Sequence, residues 1–232
     1  LKIGIIMKKI ILALAISLFT FATAQAEKGV NIGVSLLGGV FEADGGSEKF
    51  AGAHSSSASP GDVTKNSVQD ASAQFVIGSL FIEKTLGDRL AIGVDYVPFA
   101  LESETSENVQ TSTTGSSTGT NTVQVDFEDL TTVYATLALR DNFYFKAGYV
   151  EVDAITNEVL ATGGEYGNTS LDGYVLGLGF NRDSGTGAFL RVEANYMELD
   201  GATLTNSQDA TKSITADGAS GYGAKLSIGR SF

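Results

Sequence analysis

The sequence predicts an all-β chain, an eight-stranded antiparallel up-and-down transmembrane β-barrel behind an export signal. Three observations predict it. Eight segments alternate apolar and polar residues with period two, the connections between them alternate long and short, and Tyr and Phe sort to opposite ends of the strands. Period two is the repeat of a pleated strand with one buried face. An even number of strands joined by short turns at one end and long loops at the other is the layout of a barrel that crosses a membrane.

The N-terminus reads as targeting sequence. Met7-Lys8-Lys9 is a short basic region, Ile10 to Phe21 is an apolar run, and Ala24-Gln25-Ala26 fits a small-x-small cleavage site. The run is shorter than the roughly 20 residues of a membrane-spanning helix. Residues 1–26 are therefore expected to be upstream residues and a cleaved signal peptide, and 27–232 the barrel. The formal charge of −12 then becomes about −15, because Lys2, Lys8 and Lys9 leave with the signal.

The first predicted strand runs from about Gly29 to Phe41, with Val30, Ile32, Val34 and Leu36 on one face and Asn31, Gly33, Ser35 and Gly39 on the other. The second, about Ser72 to Lys84, sets Phe75, Ile77 and Phe81 against Gln74 and Gly78. Val76, Leu80 and Ile82 are apolar too, so its facing is ambiguous. The third, Leu90 to Phe99, opposes Ile92, Val94 and Tyr96 to Gly93 and Asp95. The fourth, about Val123 to Leu139, opposes Val133, Ala135 and Leu137 to Thr132, Tyr134 and Thr136. The fifth, Phe143 to Asp153, carries Phe143, Phe145 and Tyr149 against Lys146 and Gly148. The sixth, Asp172 to Asn181, carries Tyr174, Leu176, Leu178 and Phe180 against glycines. The seventh, Ala188 to Leu199, opposes Leu190, Val192 and Tyr196 to Arg191, Glu193 and Asn195. The eighth, Gly221 to Phe232, opposes Tyr222, Leu226, Ile228 and Phe232 to Gly223, Lys225 and Ser227.

Connections 43–71, 102–122, 155–171 and 200–220 are long, acidic and rich in Ser, Thr and Gly. Connections 85–89, 140–142 and 182–187 are short and carry Asp88-Arg89, Arg140-Asp141 and Arg182-Asp183. Under this layout Tyr96, Tyr149, Tyr174, Tyr196 and Tyr222 form an aromatic belt near the long-loop ends. Phe81, Phe143, Phe180 and Phe232 form one near the short turns. Aromatic belts at both water interfaces are expected of a membrane protein.

The last strand alternates Tyr222, Leu226, Ile228 and Phe232 up to the final residue. In this it resembles the small outer-membrane β-barrels, in the class of the outer membrane protein A transmembrane domain and outer membrane protein X. The resemblance covers the layout of residues 27–232. It implies export to the bacterial outer membrane, an assembly signal at Phe232 read by the barrel assembly machinery, and contact with outer-membrane lipid and lipopolysaccharide. Arg230 departs from the pattern by falling on the lipid face. Near the rim an outward charge costs about 0–1 kcal/mol.

An eight-stranded barrel is only wide enough for side chains to fill. The inward polar residues Asp95, Lys146, Arg191, Glu193 and Lys225 are thus expected to form a lumen charge network, with Asp126 and Glu128 nearer the long-loop rim. Glu193 and Lys225 are expected to face each other across neighbouring strands, and the inward glycines Gly33, Gly93, Gly148, Gly177 and Gly223 to make room for long charged side chains. A gated ion path is the alternative use of the same residues. The single histidine, His54, lies in the first long loop near Ser55, Ser56, Ser57 and Asp44 without any motif that holds a base to a nucleophile, so no catalytic residues are assigned. No cofactor or metal is expected: the chain has no Cys, and its acidic loops lack the spacing of a compact calcium loop. The acidic balance excludes nucleic acid as a partner, because phosphate binding needs clustered Lys and Arg. The expected role is structural, or surface interaction through the loops, by a monomer; a narrow pore is the alternative, and a lipid-modifying barrel enzyme a third reading.

Overall fold

A computed structural model describes residues 29–50, 63–67, 71–111, 118–160, 164–210 and 212–232. The signal segment and His54 lie outside the described residues. The described residues form strands β1 (Val30–Ala43), β2 (Gly46–Phe50), β3 (Val63–Ser67), β4 (Ala71–Leu86), β5 (Leu90–Tyr96), β6 (Leu101–Glu102), β7 (Ser106–Thr111), β8 (Thr118–Ala138), β9 (Phe143–Val159), β10 (Thr169–Asp183), β11 (Ala188–Thr205) and β12 (Ser213–Ser231). Eight of them make a wall in the order β1-β4-β5-β8-β9-β10-β11-β12, each antiparallel to the next. Pairing of β1 with β12 closes it.

The closure has a measurable stagger. Gly33 pairs with Phe81, Phe81 with Asp95, Asp95 with Thr132, and Thr132 with Val150. Val150 pairs with Gly173, Gly173 with Leu199, Leu199 with Ala219, and Ala219 with Ala43. One circuit thus returns to β1 ten residues above its start, between Gly33 and Ala43. With about 3.3 Å per residue and about 4.8 Å between strands, that stagger tilts the strands by about 40°.

The short turns are built by residues that tolerate positive φ. Asp141 (φ 53°) and Asn142 (φ 72°) form a two-residue hairpin in which the Phe143 amide donates to the Arg140 carbonyl at 3.0 Å. The long-loop end differs from expectation, because much of what reads as loop is ladder. β11 and β12 stay paired through Asp200↔Gly218 up to Thr205↔Ser213, and β12 then pairs with β2, and β2 with β3. Residues 200–220 look like a loop because they are rich in Gly, Ala, Ser, Thr and Asp, with Leu204 and Ile214 their only large aliphatic residues. Backbone pairing needs no apolar face once the strands stand in water. On the other side β5 ends at Tyr96, two residues before Pro98, and β8 continues upward paired with β6 and β7.

The exterior of the wall is apolar. Leu36 is 54% exposed, Leu178 61% and Ile228 57%, and no such surface is stable in water over a whole circumference. Among the described residues no helix is long and apolar enough to cross a membrane. The strand faces follow the predicted alternation, with two corrections. Asp126 and Glu128 do not face the lumen, because Phe127 between them packs inward on Val150 and Val152. Phe81 does not join the outer belt. Its ring is 5% exposed, points into the lumen and lies 6.2 Å from the ring of Phe189. β4 carries apolar residues on both faces, and the register with β1 and β5 turns Ile77, Ser79, Phe81 and Glu83 inward, and Val76, Leu80 and Ile82 outward.

Candidate functional site: a lumen filled at two levels

The lower lumen, nearer the short turns, is a ladder of ion pairs. Arg191 on β11 grips Glu83 on β4 with both terminal guanidinium nitrogens at 2.7 Å. Glu83 also accepts from the Asn31 amide at 2.8 Å and the Tyr134 hydroxyl at 3.1 Å, while Arg191 Nε donates to Asn181 at 3.0 Å. Such a two-nitrogen grip fixes orientation as well as charge. Lys225 on β12 pairs with Asp95 on β5, which also accepts from Ser79 at 3.2 Å. Glu193 on β11 accepts from the Tyr144 hydroxyl at 2.7 Å and from Lys146 on β9 at 3.4 Å. The three acids and three bases balance, which is what a water-poor interior requires.

The structure therefore brings Asp95, Lys146, Arg191, Glu193 and Lys225 into one lumen, but distributes them differently from the sequence expectation. Glu193 and Lys225 are opposite in register, yet Lys225 turns across the lumen to Asp95. Three members were missed. Glu83 was hidden by the ambiguous facing of its strand, and Tyr134, although on the polar face of its strand, and Tyr144 were left out because only charged residues were counted as lumen partners. Their rings take the space that the inward glycines vacate. A Cβ on Gly93 would sit 2.6 Å from the Tyr134 ring, and one on Gly33 2.5 Å from the Phe81 ring. The room thus serves aromatic rings first, which in turn cover the cations: Lys146 lies 4.6 Å above Tyr134, and Arg191 lies 4.6 Å from the Phe189 ring. Asp126 is outside this ladder and accepts from Asn157 at 2.7 Å nearer the long-loop rim.

Above the ion pairs the lumen is apolar, a feature the polar faces did not announce. Val150, Val152 and Leu199 are buried, and Phe41, Phe127, Leu130, Leu171 and Met197 pack on them. Leu130 is aimed inward by an irregularity in β8 between Glu128 and Thr131, where Asp129 takes a φ of 55°. Below the ion pairs the barrel opens into a vestibule of about 750 Å³ at the short-turn mouth, bordered by Arg191, Tyr144 and Phe189. Arg191 also borders the mid-lumen space, which is about 10 Å³ and has room for one water.

On the outside, the tyrosines form a row. Tyr149 pairs with Tyr174, the Tyr174 and Tyr196 rings are 6.1 Å apart, and those of Tyr196 and Tyr222 are 5.0 Å apart. Their hydroxyls face upward to carboxylates: Tyr196 donates to Glu198 at 2.8 Å, Tyr174 donates to the same carboxylate, and Tyr96 donates to Asp129 at 2.6 Å. At the other end Phe143 and Phe180 meet at 5.2 Å, and the Phe232 carbonyl accepts the Gly29 amide at 2.7 Å, tying the strand ends together. Among the described residues no group of His, Cys, Asp and Glu could hold a metal ion.

A closed wall, an apolar exterior between two aromatic levels and a charge-balanced interior define the class, a small transmembrane β-barrel. The architecture fits the small outer-membrane barrels that the sequence resembles. No protein-family model matches the chain, and no curated protein matches it. Among solved structures it is similar to Ail, the attachment invasion locus protein of Yersinia pestis, at 9% identity and a TM-score of 0.40, covering 86% of this chain and 99% of that one. It is similar to the outer membrane protein AlkL at 11% identity and a TM-score of 0.47, covering 90% and 93%. It is similar to the outer membrane protease OmpT of Escherichia coli at 9% identity and a TM-score of 0.39, covering 90% and 100%. The class of this chain rests on its own closure, stagger and exterior.

Proposed function

We propose that the chain is a non-catalytic outer-membrane barrel whose wall anchors it and whose acidic, Ser/Thr/Gly-rich upper strands and loops meet partners at the cell surface. The supporting observation is the two-level filling of the lumen. An ion moving along the axis meets three satisfied ion pairs and then the apolar layer around Val150, Val152 and Leu199. A barrel filled in this way works as a rigid post, and recognition is left to what stands above the membrane. The export signal at 1–26, assembly through Phe232, contact with lipopolysaccharide around the tyrosine row, and a monomeric state belong to the same reading.

Planar-bilayer recording of the refolded chain tests it. We expect no steady conductance from the wild type and none from Leu199→Ala, which thins the apolar layer without touching the ion pairs. Discrete, voltage-stable channels in the wild type would instead favour the narrow pore, with the vestibule as its entrance.

A further inference from the structure

The exterior of β1 and its two neighbours carries a pair of cations that the barrel itself does not use. Lys84 on β4 points outward, because Glu83 and Thr85 on either side point inward, Glu83 into the ion pair with Arg191 and Thr85 into the vestibule. Arg230 on β12 points outward between the inward Gly229 and Ser231 and is exposed. Lys84 is opposite Val30 and Arg230 opposite Ile32, so the two flank the same end of β1. The ten-residue stagger shifts constant height by about 1.25 residues per strand, which brings the two cations to within about half a residue of one level. They are two strands apart, about 12 Å with the two-residue offset along β1 included, and each extended side chain spans about half of that.

The surrounding surface is apolar: Ile32 is 42% exposed, Leu86 43% and Phe232 62%. Among the described residues no carboxylate lies within ion-pair distance of either cation. The Arg230 guanidinium lies 5.6 Å from the Phe232 ring, on the side of the short-turn rim. Two outward charges at the edge of a lipid-facing band cost free energy unless an anion meets them. At this height, with the short turns in the periplasm, the available anions are the phosphates of the inner leaflet.

Building on the membrane reading above, we propose that Lys84 and Arg230 bind the phosphodiester of one anionic phospholipid of the periplasmic leaflet, across the outward side chain of Val30. Arg230 supplies a forked donor for two phosphate oxygens, and Lys84 a point charge from the other side. Two positive charges against one phosphodiester select a headgroup without an ammonium of its own, because a choline or ethanolamine would face the second cation. Phosphatidylglycerol is therefore held in preference to phosphatidylcholine.

Native mass spectrometry of the barrel released from nanodiscs of equal phosphatidylglycerol and phosphatidylcholine tests the site. The wild type is expected to retain one phosphatidylglycerol with about a tenfold preference. The double variant Lys84→Gln/Arg230→Gln should lose that preference, and Lys84→Arg should keep it. Arg182 on β10 is also outward at the short-turn rim and flanks β11 with Arg230, Arg182 opposite Leu190 and Arg230 opposite Ala188, so Arg182→Gln asks which neighbour completes the site and should leave the preference in place. All three positions face away from the lumen, so an unchanged circular dichroism spectrum separates lost binding from lost folding. Equal retention of both lipids by the wild type, or loss of the preference in Arg182→Gln, would overturn the proposal. A chain that never enters the nanodisc would overturn the membrane reading instead.

Discussion

Glu193 and Lys225 stand directly opposite one another in the β11–β12 ladder, yet their charges go to different partners. Lys225 reaches across the barrel to Asp95, while Glu193 turns to Tyr144 and Lys146 on β9. The two-nitrogen ion pair is elsewhere, between Arg191 and Glu83, which are 108 residues apart in sequence.

That arrangement sets an order among double-mutant cycles. Glu83→Ala leaves the Arg191 guanidinium without its carboxylate in a confined lumen and should cost about 3–5 kcal/mol. Glu83→Met with Arg191→Met should recover much of this, giving a coupling of about 2 kcal/mol or more. The cycle for Glu193 and Lys225 should give a coupling below about 1 kcal/mol, because each keeps its own partner. Urea unfolding in detergent micelles measures both. A Glu193/Lys225 coupling as large as that of Glu83/Arg191 would contradict the assigned partners.

The inward position of Phe81 separates it from the residues on the outer wall. Phe81→Ala removes a ring packed against Phe189 and Arg191 and should cost about 3–5 kcal/mol, as a core truncation does. Phe143→Ala exchanges a lipid-exposed ring for lipid and should cost about 1 kcal/mol, mostly through its contact with Phe180. The same unfolding assay compares them. Equal losses would return Phe81 to the belt.

The backbone and the ring of Phe232 can be tested separately. Its backbone ties to Gly29 and Val30, while its ring is exposed on the outer wall. Phe232→Ala keeps the backbone contacts and removes only the ring. If the ring is an assembly signal, yield in the outer membrane of living cells should fall about tenfold while refolding in detergent is nearly unchanged. This is the behaviour expected when an exposed side chain contributes little to packing. Parallel losses in both settings would make it a packing residue only.

The strand faces were legible in the sequence wherever one face was polar. Val30 to Leu36, Leu90 to Tyr96 and Leu190 to Tyr196 alternate cleanly, and period two leaves a single way to put such a strand between lipid and lumen. The alternation of connections likewise set the antiparallel order and an even strand number. β4 was not legible, because Val76 and Ile77, or Leu80 and Phe81, satisfy either face equally well. Only its ladder with β1, Gly33↔Phe81 among its pairs, turned Phe81 and Glu83 inward. The lumen partners were invisible for a related reason. Alternation says that a charge points inward, but not at what height or towards which strand. Those depend on the ten-residue stagger gathered around the whole closed wall. Outside β4 and the upper part of β8, sequence by itself therefore determined which residues face the interior of this barrel. Closure decided that Lys225 meets Asp95 and Arg191 meets Glu83, since the distance across a barrel is set by all eight strands together and is encoded in no one of them.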